Sequence, residues 1–263
     1  MHMNSQKTSN ILHREFNKQG YCHIKSLFSD QELKQLHKSL LCFHNAWIED
    51  NTTHYETQAI NASYITSNQY LSDLNRLQIF KFIGKDKLMN VATQIFDEQP
   101  TFMNTQIFFN PVNKHQKNYW HRDMQYHLSV TEQQQALAGP QVIHFRVPLM
   151  DEPGIELVAG SHTQWDSKEE LDVRLEQNNS RNFDMLSSGT QIELAAGDLL
   201  VFSANMIHRG IYGKNRFAFD VLFCDFDSAF ADYIDKACLP NSSHINQLEN
   251  SQAFQNAIAL KNT

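Results

Sequence analysis

The chain has 263 residues, 41% hydrophobic and 19% charged, which is enough apolar material for a sizeable core and too little charge for a disordered chain. Its 22 Lys and Arg stand against 29 Asp and Glu, a net charge of −7, and this argues against general binding of phosphate backbones. Cys22, Cys42, Cys224 and Cys238 are scattered without a CxxC pair, which excludes a zinc ribbon and a small disulfide scaffold and reads as reduced, intracellular cysteine. No run of about 18 apolar residues is present, and Met1 to Ser5 lack the apolar stretch of a signal peptide. The expectation is a cytoplasmic protein with a small-molecule partner, no nucleic acid and no membrane span.

Ile11, Leu12, Glu15 and Phe16 fall at helical spacing, and Gly20 is a C-terminal stop. Residues 21–24 are short enough for a strand. Ser29 followed three residues later by Glu32 is a capping box, and Leu33, Leu36, Leu40 and Leu41 continue a helix to about Trp47. Residues 50–75 are rich in Asn, Thr and Ser and read as loop, with a short strand near 62–65. Leu88, Val91, Ala92, Ile95 and Phe96 suggest another helix.

From residue 101 the period changes. Strands are expected at 102–109, 119–126, 142–149, 155–158, 191–194, 199–202 and 217–223, with Gly, Pro and Asn clusters between them. Seven or more short strands indicate a barrel or a double-sheet jelly roll. Residues 163–188 form a long polar insert, expected to act as a lid, since loops of this length in compact domains are often functional. The tail after about residue 240 suggests a loose helix. The expected organisation is one domain over 1–263: helical support over 1–100, β core over 101–225 and a helical tail over 226–263.

The chemistry concentrates in Trp120-His121-Arg122-Asp123-Met124. On a strand His121 and Asp123 point to one face, so imidazole and carboxylate can meet on one metal. His208 lies far downstream. Two His and one carboxylate make the facial triad of non-haem Fe(II) oxygenases, which leaves three coordination positions open. Arg216 follows His208 across Gly210 to Asn215, read as a tight connection between antiparallel strands. Its guanidinium suits bidentate binding of a carboxylate, such as the distal carboxylate of 2-oxoglutarate. His121-Arg122-Asp123 is also the tripeptide of a kinase catalytic loop, but that loop needs Asn five residues after the Asp, and position 128 is Leu.

The ordered series of these segments resembles the phytanoyl-CoA dioxygenase family of Fe(II)/2-oxoglutarate-dependent oxygenases. The resemblance runs through Phe16-Asn17-Lys18-Gln19-Gly20-Tyr21, Leu27-Phe28-Ser29, His121-Arg122-Asp123, Gly160-Ser161-His162, the Gly197-Asp198 hairpin, His208 and Arg216. It implies a double-stranded β-helix (a cupin-like jelly roll, mainly β) with N-terminal helices packed on one sheet. It also implies a dioxygenase that hydroxylates or otherwise oxidises a small molecule with Fe(II), 2-oxoglutarate and O2, giving succinate and CO2. In that reading His121, Asp123 and His208 hold the metal and serve catalysis, while Arg216 and Gln106 bind the cosubstrate. Because Asp123 keeps the metal carboxylate that halogenating relatives lack, oxidation is favoured over halogenation. Trp120, Met124, Tyr126, His127, Arg146, Trp165 and Arg209, near the metal or on the insert, are candidate substrate residues. The alternatives are a non-catalytic jelly-roll binding protein and a cupin-type metal enzyme that does not use 2-oxoglutarate, which would not need Arg216.

Overall fold

The computed structural model describes residues 2–262, with side chains from residue 11 onward. The elements are α1 (His2–Gln19), β1 (Tyr21–Ile24), α2 (Asp30–Asp50), α3 (Thr52–Thr57), β2 (Asn61–Ser63), α4 (Asp73–Ile83), α5 (Asp86–Ile95) and β3 (Thr101–Phe109). They continue as α6 (Val130–Ala136), β4 (Val142–Pro148), β5 (Glu152–Val158), α7 (Lys168–Arg174), β6 (Gly189–Leu194), β7 (Leu199–Ser203), β8 (His208–Gly210), β9 (Phe217–Cys224), α8 (Ser242–Ile245) and α9 (Gln252–Leu260).

Two antiparallel sheets face each other as a jelly roll. The larger has the order β1-β7-β4-β9-β3-β2 and the smaller β6-β5-β8. The start of the chain forms as its local signals dictate. Gly20, at φ +84, ends α1 in a left-handed turn and lets its amide bond the Phe16 carbonyl. A Cβ at Gly20 would collide with the His162 ring. Ser29 and Glu32 then make the expected capping box on α2.

The large sheet has two chemically different faces, set by the period-two alternation of its strands. Ile143, Phe145 and Val147 of β4 and Phe219, Val221 and Phe223 of β9 join the main core with Leu36, Leu40 and Phe43 of α2 and residues of α4 and α5. The alternate residues face the other sheet. Register places Gln106, Asp220, Arg146 and Leu200 in one row across β3, β9, β4 and β7. A second row is Asn104, Leu222, His144 and Phe202. One end of the space between the sheets is shut by Leu200, Phe202, Ile155, Leu157 and Met206.

Several local expectations change. Residues 119–126 are not a strand: His121 makes a single antiparallel bridge to His208, and Asp123–Tyr126 is a 3-10 turn. The turn follows because the Gln125 side-chain carbonyl accepts from the Arg122 amide and pulls the chain round. Residues 50–75 carry α3 and the start of α4, and the tail helix α9 is packed rather than loose, with Phe254 against Phe102 at 4.8 Å between ring centroids. The Gly210 to Asn215 connection is not a hairpin within one sheet. β8 pairs with β5 in the small sheet, whereas β9 lies between β4 and β3 in the large one.

Candidate metal centre and its cavity

His121 and His208 are joined backbone to backbone by the His121 amide on the His208 carbonyl (3.0 Å) and the reverse bond (2.9 Å). This bridge sets the rings 4.2 Å apart between centroids. Arg122 is extended, φ −110 and ψ 141, so Asp123 returns to the side of His121 although no regular strand runs through it. Its amide is tied to the Ala204 carbonyl at 3.2 Å. Arg122 points the opposite way and is fully buried. It binds Asp166 at 2.6 Å, the Ser161 and Gln164 carbonyls, and the Asn205 carbonyl. That anchor fixes the tripeptide from behind.

The proton positions on both histidines follow from their partners. His121 Nδ1 faces the Tyr119 carbonyl at 3.1 Å and His208 Nδ1 faces the Met206 carbonyl at 3.0 Å. A carbonyl only accepts, so each Nδ1 donates and each Nε2 presents a lone pair. Asp123 Oδ1 lies 3.4 Å from His121 Nε2 and 3.5 Å from His208 Nε2. These are the ligand atoms of the metal-capable cluster found among the described residues. Burial and the neighbouring His121 push His208 down to about 3, which keeps it neutral and able to ligate. Burial opposes the Asp123 charge, yet the adjacent His121 and His144 imidazoles hold its carboxyl well below the usual carboxylate range.

The remaining Asp123 oxygen is taken by a residue that the sequence reading missed. His144 Nε2 donates to Asp123 Oδ2 at 2.8 Å, and its Nδ1 donates to Asp220 Oδ2 at 3.2 Å. The ring stacks on Phe202, 4.6 Å between centroids and 10° from parallel. Burial disfavours its charge, but the two carboxylates outweigh burial and push its pKa up to about 9. Oδ1 is thereby left as the one free oxygen of Asp123.

Beside this centre the cavity floor is charged. Arg146 Nε donates to Glu152 Oε1 at 3.1 Å, and its Nη1 lies 3.5 Å from Asp220 Oδ2. Arg216 reaches Glu152 less well, Nε to Oε2 at 3.5 Å, and its Nη1 has no hydrogen-bond partner although the residue is 4% exposed. Burial and the like charge of Arg146 pull Arg216 down to about 10. The guanidinium packs over Gly210, where a Cβ would collide with it. An under-compensated buried guanidinium at a cavity wall fits an anion. Phe108 lies beneath both arginines, 4.6 Å from Arg146 and 5.4 Å from Arg216.

The cavity is about 550 Å³ and is lined by His121, Asp123, His208, Arg216 and Gln106, and by Met124, Tyr126, His127 and Arg146. It therefore brings together nine of the residues singled out from sequence. Trp120, Trp165 and Arg209 do not line it. Trp120 is buried under the insert, its indole N–H on the Asp184 carbonyl at 2.9 Å, and Arg209 covers it at 4.5 Å while pairing with Glu156. Trp165 lies under the guanidinium groups of Arg122 and Arg174. None of residues 163–188 lines the cavity. The insert packs behind the His121-Arg122-Asp123 tripeptide, through Val173 and Leu186 against Trp120, Val158 and Ile207. The missed residues His144 and Asp220 had one signal in sequence, polar side chains in otherwise apolar strands, whereas Glu152, within Asp151-Glu152-Pro153-Gly154, had none.

Two facing sheets with a two-His, one-carboxylate cluster between them define the non-haem oxygenase jelly roll. The chain matches the phytanoyl-CoA dioxygenase family over residues 16–215 and belongs to it. No curated protein matches it. Among solved structures it is similar to AviO1 from Streptomyces viridochromogenes Tue57, at 15% identity and a TM-score of 0.56, over 82% of this chain and 95% of that one. It is also similar to SnoK, a non-haem alpha-ketoglutarate-dependent carbocyclase from nogalamycin biosynthesis, at 16% identity and a TM-score of 0.53, over 85% of this chain and 86% of that one. A third is EctD from S. alaskensis, at 13% identity and a TM-score of 0.57, over 84% of this chain and 76% of that one. These likenesses concern the fold.

Proposed function

We propose that the protein is an Fe(II)- and 2-oxoglutarate-dependent dioxygenase that oxidises a small molecule, with succinate and CO2 as coproducts, in the cytoplasm. The observation that carries this reading is the convergence of two free imidazole Nε2 atoms and one free carboxylate oxygen in a cavity whose wall holds an under-compensated arginine. His121, Asp123 and His208 would hold Fe(II) through those atoms. Arg216 would take the distal carboxylate of 2-oxoglutarate, and Gln106, on the same floor, would contribute an amide. When bound, the metal and cosubstrate supply the oxidising chemistry, with O2 as oxidant and decarboxylation of 2-oxoglutarate as the source of electrons.

The chain's own residues position and shield. The Tyr119 and Met206 carbonyls fix both imidazole tautomers. His144 keeps Asp123 to one free oxygen, which leaves coordination positions for cosubstrate and O2. Phe202 and its apolar neighbours close the cavity behind the site and exclude water. No described helix is long and apolar enough to cross a membrane. Succinate formation that depends on both Fe(II) and 2-oxoglutarate, and disappears in His121→Ala, tests the reading. Full turnover in His121→Ala, or no 2-oxoglutarate consumption by iron-loaded protein, contradicts it.

A further inference from the structure

The lining of the cavity separates into a charged floor and an uncharged wall, and every charge on the floor has a use or a partner. Asp123 faces the two metal-site imidazoles and His144. His144 is held between Asp123 and Asp220. Arg146 is held by Glu152 and Asp220. Arg216 is the cosubstrate anchor in the reading above. Beyond them the wall is apolar or neutral, with the His127 imidazole its one titratable nitrogen base. Met103, Met124, Leu128, Val142, Leu222 and Phe230 contribute hydrocarbon and thioether surface. Tyr64, Tyr119, Tyr126 and Tyr233 add ring faces, with the Tyr126 hydroxyl spent on Tyr119 at 3.1 Å. Asn61, Ser63 and Asn104 supply neutral hydrogen-bonding groups. Among the described lining residues there is no lysine, and no arginine other than the two on the floor.

A charged substrate seated against this wall would lose its hydration without gaining a fixed counter-charge, a heavy penalty for an ion and none for an apolar surface. A nucleotide thioester needs several cations for its phosphates, and the wall offers none. The volume, about 550 Å³ with the cosubstrate included, suits a compact small molecule. We infer that the substrate is an uncharged, mainly apolar compound with one or a few neutral hydrogen-bonding groups, bound with its hydrocarbon against the tyrosine and methionine wall. This rests on the dioxygenase reading for the position of metal and cosubstrate.

The test measures binding, with the loading of the site checked separately. Protein is loaded anaerobically with Fe(II) and saturating 2-oxoglutarate, and the visible charge-transfer band confirms that the site has formed. Failure of the band would count against the dioxygenase reading itself. Naphthaleneethanol, naphthaleneacetate, naphthaleneethylamine and acetyl-coenzyme A are then titrated by their perturbation of that band and by calorimetry. The alcohol is expected to bind at least tenfold more tightly than the acetate, the amine or the thioester. With the band present, equal or tighter binding of any charged probe, or no binding of the alcohol at millimolar concentration, would overturn the inference. Leu128→Lys places a cation in the half-buried wall and is expected to raise the acetate-to-alcohol affinity ratio tenfold or more. An unchanged ratio would show that the probes bind elsewhere and would also overturn it.

Discussion

The two faces of the large sheet are made from the same strands and differ only in which alternate residue they present. One face of β4 and β9 offers Ile143, Phe145, Val147, Phe219, Val221 and Phe223 to the helices. The other offers His144, Arg146 and Leu222 to the cavity, with Asp220 buried against His144 and Arg146. The first face gains stability from apolar area removed from water. The second holds buried charges whose desolvation offsets much of their attraction, so it contributes little net stability and instead fixes geometry. Fold and chemistry are thus carried by residues one position apart. A change on one face should move stability and a change on the other should move metal and cosubstrate binding.

That separation can be broken or sharpened by substitution. The largest effect is expected for Asp123→Ala or His121→Ala, which should reduce turnover to background and abolish stoichiometric iron binding, while the thermal midpoint of the metal-free His121→Ala protein barely changes. Iron titration beside a melting curve checks both. Next, Phe145→Ala on the helix face should cost about 3–5 kcal/mol in denaturant unfolding and leave the KM for 2-oxoglutarate of the folded fraction unaltered. A large KM change there would break the separation. Arg216→Gln should do the reverse. Loss of a charge-assisted pair of about 1.5–3 kcal/mol raises the KM for 2-oxoglutarate roughly ten- to a hundredfold. His144→Asn should lower iron affinity about ten- to a hundredfold, the usual cost of losing a hydrogen bond that orients a metal ligand, with His121 and His208 still in place.

The smallest effect is a pH slope on the helix face. His44 packs against Phe109 and Phe217, and burial pushes its pKa down to about 4. Between pH 4 and 6.5 the unfolded chain binds a proton there that the folded chain does not, so stability rises with pH across that window and is lost as pH falls. His44→Phe should flatten the slope by on the order of 1 kcal/mol between pH 6.5 and 5, read from urea unfolding at the two pH values. An unchanged slope would assign the acid sensitivity to the cavity face.

Much of this was legible in the sequence where local rules act alone. The strand at Tyr21–Ile24, the Ser29 and Glu32 cap and the strands from Val142–Pro148 to Phe217–Cys224 follow from alternation and turn residues. The spacing of His121 and Asp123 identified the metal-capable pair because Arg122 stays extended even without a strand. The helix Asp73–Ile83 escaped because its buried residues Ile79, Phe80, Phe82 and Ile83 are nearly consecutive and give no clean helical period. Thr52–Thr57 buries nothing and left no apolar signal. The sheet membership of the last two strands depends on long-range pairing, which the short Gly210 to Asn215 link does not encode. The same holds for the Asp123–His144–Asp220 bridge, whose members are 21 and 76 residues apart. The length of the insert is visible in sequence, whereas its packing against Trp120 is not.

In the proposed reading one cavity holds a metal through His121, Asp123 and His208 and a 2-oxo acid through Arg216. Anaerobic visible titration with Fe(II), then 2-oxoglutarate, tests it most directly. The expected result is a weak metal-to-ligand charge-transfer band that saturates at one equivalent of iron, is absent in His121→Ala and needs far more 2-oxoglutarate in Arg216→Gln. Folded protein that binds iron yet shows no band, or a band unaffected by Arg216→Gln, would contradict it.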